Sequence, residues 1–200
     1  MPKPLTESER AYIRKRLLEE TQACLSQYGL RRTTVDELVR RVNIPKGTFY
    51  LFYPSKEMLV LDLFDAHHNA LKEDLMRWIA DLEGNVNADT VTDLIFRLYM
   101  KADATFMYSF IANGDLELLI RKLPPEAAAA HIQADDFSME QLLMLLGVRA
   151  EGNIKVFSAV LRAIFFAMLH RREVGEDVFD EAIRVMLRGA VRQLFEEELK

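Results

Sequence analysis

A single cysteine among 200 residues cannot close an internal disulfide or build a thiolate metal site. A stapled secreted domain and a zinc module are thereby excluded, and Cys24 is expected as a small core residue. No stretch approaches the roughly 18 uninterrupted apolar residues that a membrane span needs. The opening MPKPLTESER lacks the apolar run of a secretory signal. A cytoplasmic chain without a membrane partner is therefore expected. Histidines number four, and His67 and His68, being adjacent, point about 100° apart on a helix and cannot chelate as an i, i+4 pair. His131 and His170 have no partner set in the sequence, so neither a metal nor a cofactor is expected. Glycine-rich phosphate loops, a G-x-S-x-G elbow and an H-E-x-x-H pair are absent as well, which weighs against the motif-bearing enzyme classes. Period-2 alternation is missing throughout, so strands are not expected.

What remains is half hydrophobic, enough for a substantial core. The net charge of −5 conceals a division. Residues 1–56 hold eleven Lys and Arg against six Asp and Glu, and the other 144 hold fifteen against twenty-five, so a head of +5 precedes a body of −10. Only the head is suited to a polyanion.

Helical spacing predicts an all-α fold. Thr6-x-x-Glu9 is a capping box opening a helix with Ile13, Leu17, Cys24 and Tyr28 on one face, ended by Gly29. A second helix starts at Thr33 or Thr34, with Asp36 and Glu37 in its first turn. Asn43 supplies the turn, and Pro45 fits the first position of a third helix running through Tyr50 or beyond. Ser55 caps a fourth helix reaching toward Gly84. Further helices are expected near 88–112, 115–123, 138–147, 153–172 and 177–198, with breaks at Asn113-Gly114, Pro124-Pro125, Gly147, Gly152 and Gly175, while 124–137 reads equally as helix or ordered loop. The expected domains are a DNA-binding helix-turn-helix at 1–56 and a helical body at 57–200.

Three short helices with a tight turn before the third describe a helix-turn-helix, whose third helix enters the major groove. The string from Ile44 through Lys46-Gly47-Thr48-Phe49-Tyr50 to Pro54-Ser55-Lys56-Glu57-Met58-Leu59 closely resembles the recognition segment of the TetR family, and Thr33-Thr34-Val35-Asp36-Glu37-Leu38 resembles its second helix. Gly47 lets the backbone approach DNA, and Lys46 and Thr48 offer donors at the leading end of the helix. Tyr50 can reach a phosphate, while Phe49 turns inward. Lys56, Thr34 and the neighbouring Thr33 stand at helix N-termini suited to phosphate clamping. Arg31, Arg32, Arg40 and Arg41 read equally as phosphate-facing or as a solvated face. Three departures from the family pattern are Asn43 for a usual glycine, Pro45 for a capping serine, and Leu51-Phe52-Tyr53 for polar or hydroxylated aromatics followed by phenylalanine. They predict that Phe52 makes no phosphate contact and that Tyr53 packs inside.

In the body, Leu94, Leu98, Ala102 and Thr105 make one stripe of the helix at 88–112, and Phe96, Met100, Asp103, Met107 and Phe110 a second. With Trp78, Phe157 and Phe165, the second stripe is the candidate lining for a small, mainly hydrophobic effector. Asp103 either faces that ligand or pairs with a neighbouring cation. Ala159, Ala163 and Ala167 recur every four residues, and Ala182, Met186 and Ala190 lie on the last helix. The resemblance implies that these two helices pair with their copies in a homodimer, and that the dimer is a repressor on a palindromic double-stranded DNA operator, released by its effector. The alternatives are a helical DNA-binding or adaptor protein without effector, and an enzyme without a recognisable motif.

Overall fold

The computed structural model describes residues 5–131, 142, 144–146 and 154–197, and all regular structure among them is helical. Most of the helix expected near 138–147, and the breaks at Gly147 and Gly152, lie outside the described residues. No helix among them is long and apolar enough to cross a membrane.

Local chemistry fixes the first elements. In α1 (Glu7–Arg32) the Glu9 amide donates to Thr6 Oγ1 at 3.2 Å while the Thr6 amide donates to the Glu9 carboxylate at 2.8 Å, the reciprocal capping box. Gly29, at φ 70° and ψ 179°, breaks the helix, and one further turn follows it. Thr34 caps α2 (Val35–Val42), accepting from the Glu37 amide at 3.2 Å, and Asn43 ends it in the left-handed conformation, φ 57° and ψ 51°. Pro45 sits one place earlier than expected, as the N-cap of α3 (Lys46–Phe49), a helix of only four residues that stops before Tyr50. Ser55 Oγ accepts the Met58 amide at the start of α4 (Lys56–Ala80). Leu17, Cys24, Leu38, Phe49 and Leu59, all fully buried, form the core that α1 to α4 share.

The helix expected over 88–112 is two. Asn87, accepting from the amides of Asp89 and Thr90, opens α5 (Ala88–Asp103), and α6 (Phe106–Ala112) begins after Thr105, whose backbone is extended at φ −94° and ψ 162°. Thr105 occupies the N-cap position without a side-chain cap bond, and neither glycine nor proline marks the break. The second apolar stripe is consequently divided between two helices. Gly114 then leads into α7 (Asp115–Lys122), and 125–131 are helical where helix and loop had both been open.

The chain forms two compact units: residues 1–70 with 105–124, and 71–104 with 125–200. The first unit thus extends past an expected boundary at 56/57 and takes in the α6–α7 hairpin, because α6 and α7 pack on α1 and on each other. Phe64 meets Phe106 and Phe110 edge-on, with centroids 5.5 and 5.0 Å apart. In the second unit, α5 packs against the last helix, Phe179–Glu197, which also packs on the helix Ile154–Ala167. The latter continues through a 3-10 turn, Met168–His170, into Arg171–Val174. Ile95 and Tyr99 on α5 and Ile183, Leu187 and Val191 on the last helix are buried, and the Tyr99 hydroxyl donates to the Leu161 carbonyl at 2.6 Å.

Candidate nucleic-acid interface

The second and third helices divide their side chains cleanly. Phe49 is fully buried, whereas Tyr50 beside it is half exposed and its ring stands at 88° to that of Phe49. Lys46 points outward, its ammonium 2.8 Å from the Asp36 carboxylate in the first turn of α2. Asp36 holds the Lys46 ammonium above its ordinary pKa through that hydrogen bond. A Cβ added to Gly47 would meet nothing within 4 Å, so nothing inside the protein requires a glycine there. Thr48 is half-buried, and Thr34 is exposed with its hydroxyl engaged as the α2 cap.

Two of the residues assigned to phosphate face inward. Thr33 is fully buried, and its hydroxyl donates to the Gly29 carbonyl at 2.8 Å. The Lys56 ammonium donates to the carbonyls of Leu30 and Thr33 at 2.7 and 2.6 Å, and burial pushes its pKa down. Their place in the chain suggested an anion clamp; the carbonyl partners, more than twenty residues earlier, were invisible there. Arg40 and Arg41 both bond to Glu37, at 2.7 and 2.6 Å, and those hydrogen bonds, Arg40's foremost, hold the Glu37 carboxyl down to about 2. Arg31 and Arg32 are exposed.

Sequence reasoning also missed a polar latch across the head. Arg14 on α1 forms a forked ion pair with Asp62 on α4, at 2.7 and 2.9 Å, and the Tyr53 hydroxyl donates to the same carboxylate. Tyr53 is buried, as its place in the motif suggested, and its phenol is pushed up in pKa by that burial. Phe52 lies under the Arg10 guanidinium, 5.3 Å from its ring centre.

The effector candidates fall in both units. Met107 and Phe110 are buried in the first unit, and the other six belong to the second. There, Arg97 covers the Trp78 ring at 4.1 Å and Arg184 covers Phe96 at 3.9 Å. Asp103 pairs with Arg171 at 3.3 Å, the alternative left open for it. Phe157 is buried, Met100 is half-buried, and Phe165 meets the Tyr99 ring edge-on at 5.3 Å. Of the six interface candidates, Ala159, Ala163 and Met186 are exposed, and Ala167, Ala182 and Ala190 are half-buried.

Residues 17–63 match the family model of bacterial regulatory proteins of the TetR family. Two curated relatives from Bacillus subtilis (strain 168), the HTH-type transcriptional regulators YuxN and YhgD, are 33% identical over 55 residues and 32% identical over 60. Those matches cover 28% and 30% of this chain, and only 19% and 31% of the relatives' lengths. Solved structures share the fold over most of the chain. A TetR-family transcriptional regulator from Streptomyces coelicolor superposes with a TM-score of 0.67 at 16% identity, covering 92% of this chain and 96% of the other. Thermus thermophilus FadR, a TetR-family repressor solved with lauroyl-CoA, gives 0.60 at 21% identity, covering 92% and 94%. SmeT, repressor of the Stenotrophomonas maltophilia efflux pump SmeDEF, gives 0.60 at 18% identity, covering 92% and 88%. Residues 17–63 thus match the helix-turn-helix segment of TetR-family regulatory proteins, and the helical fold of the described residues is the kind that solved TetR-family regulators have.

Proposed function

We propose that the chain is a homodimeric, ligand-responsive repressor that binds a palindromic operator through α3. One observation carries the DNA-binding part: Phe49 is wholly internal while Lys46, Gly47 and Tyr50 turn outward, and the glycine serves no internal contact. A backbone that can approach closely, with a cation and a phenol beside it, suits a groove edge and its phosphates. Thr34, Thr48 and the amides at the start of α2 supply neutral donors. The test is duplex affinity against salt for Lys46→Ala and Tyr50→Ala. Losing the Lys46 contact should weaken all sequences alike and lower the salt slope by about one unit, while Tyr50→Ala weakens binding with little change in slope. Wild-type affinity in both folded variants would sink the assignment.

Dimerisation rests on the outward face of the last two helices in the second unit. Val156, Val160 and Phe166 on one, and Val185 and Met186 on the other, are exposed, with Ala159 and Ala163 between the first group. An apolar face spread over two packed helices, with small residues at i, i+4, fits a second copy about a two-fold axis.

The effector is proposed to bind within the second unit, against some of Trp78, Phe96, Met100, Phe157 and Phe165. Relatives with this fold have been solved with lauroyl-CoA and with triclosan, both carrying large apolar parts. Asp103 is engaged by Arg171, which it shares with Asp180, and those aromatic residues suit a mainly hydrophobic ligand. A ligand preferring the DNA-incompetent state ~100-fold supplies about 2.7 kcal/mol for release. Lauroyl-CoA and triclosan serve as probes. Either should lower duplex affinity, with the effect diminished in Phe96→Ala.

A further inference from the structure

The segment from Gly29 to Thr33, which carries the chain from α1 into α2, is held by bonds from two distant parts of the first unit. The Leu30 amide donates to Asp115 Oδ2, at the start of α7, at 2.8 Å. The Lys56 ammonium, at the start of α4, takes the carbonyls of Leu30 and Thr33. Within the segment, the amide and hydroxyl of Thr33 both donate to the Gly29 carbonyl, at 3.3 and 2.8 Å. Leu30 and Thr33 are fully buried. Gly29 is required twice over: its φ is +70°, and a Cβ there would lie 2.8 Å from Asp115 Oδ2. The residue that follows this clamped segment is Thr34, the cap of α2.

We infer that Asp115 is a positioning residue for DNA binding: with Lys56 it fixes residues 29–33, and through them the N-terminus of α2, making the α6–α7 hairpin a working part of the DNA-reading unit. This rests on the DNA-binding reading above. A charge-assisted bond to a buried amide has few ways to bend, so the α2 amides and the Thr34 hydroxyl stand in one place relative to α3. Without Asp115 the Leu30 amide, 85 residues away in sequence, would be buried without its acceptor, and the segment would shift to find water. Phosphate contacts at the start of α2 would then fall out of register with base contacts from α3.

The test uses the full chain and a duplex recovered from a random-sequence pool by the wild type. Asp115→Ala and Asp115→Ser, whose hydroxyl is too short to reach Leu30, should bind that duplex about tenfold more weakly while folded. Asp115→Asn, whose amide oxygen can still accept the Leu30 N–H, should recover most of the loss. Leu119→Ala, which hollows the same unit without touching the clamp, should lower the melting temperature and leave the affinity of the folded protein unchanged. Wild-type affinity in folded Asp115→Ala or Asp115→Ser overturns the clamp and leaves the DNA-binding reading standing, as does an Asp115→Asn no better than alanine. If Asp115→Ala does not fold, the serine and asparagine variants decide between the same outcomes. Recovery of no duplex by the wild type overturns both.

Discussion

Glycine at position 47 is a poor helix former placed where the protein gains nothing from it, since a Cβ would stand in open space. Gly47→Ala should therefore raise stability, by up to about 1 kcal/mol, and the melting temperature with it. Duplex affinity should move the opposite way, falling about tenfold as the methyl holds the backbone off the groove. An alanine variant that is more stable and binds as well as wild type would remove the glycine from the interface. Asp36 makes the complementary case. Its carboxylate holds Lys46 in the free protein and would repel phosphate in the complex. Asp36→Asn should raise duplex affinity about two- to fivefold at low salt, with the gain shrinking as salt rises. The same change costs a few tenths of a kcal/mol at the α2 N-terminus, so affinity and melting temperature again move in opposite directions. Affinity and thermal melting on one preparation check each variant.

Among the elements, those set by neighbours in sequence were legible and those set by distant ones were not. The Thr6–Glu9 box, the left-handed Asn43 and the Ser55 cap all act within three or four residues and stand where the motif put them, and of the two threonines open for the α2 cap the structure uses Thr34. The end of α5 is different: Asp103-Ala104-Thr105 contains no strong breaker, and the chain leaves one compact unit for the other there. Lys56 and Asp115 likewise take their roles from partners far along the chain, which no spacing rule reports. Within α2, the fan of Glu37, Arg40 and Arg41 is local and makes a pH prediction. The Glu37 carboxyl, ordinarily at 4.5, is held to about 2 in the folded state. A depressed carboxyl stabilises the fold fully above its unfolded pKa and loses that contribution as pH falls through the folded value. The window is therefore pH 4.5 down to 2, and Glu37→Gln should flatten the fall of melting temperature across it. The change should be small, because Arg40 is largely solvent-exposed. A melting profile for Glu37→Gln as steep as the wild type's would assign that acid sensitivity to other carboxylates.

At the scale of the whole molecule, the last two helices are apolar on two sides. Phe157, Leu161 and Ile164 on one, with Ile183, Leu187 and Val191 on the other, are buried within the second unit. Val156, Val160 and Val185 face out, Val185 at 63% exposure, among exposed Ala159 and Ala163. A second copy covering this face would turn its apolar surface into interface core, and stable interfaces usually bury about 1,600 Å² in total. Ala163 tests this without disturbing the protomer, since it already lies exposed and arginine is a good helix former. In a monomer the Ala163→Arg side chain extends into water. In a dimer closed over Ala163, the same guanidinium would be buried without a partner, at a cost of several kcal/mol. Sedimentation at micromolar concentration should therefore find the wild type dimeric and Ala163→Arg monomeric, with identical helical circular dichroism. Duplex affinity should fall steeply in the variant, because a palindromic site would be held by one head at a time. A wild type that sediments as a monomer, or an Ala163→Arg that stays dimeric, would show that the two-sided helices meet something other than their own copy.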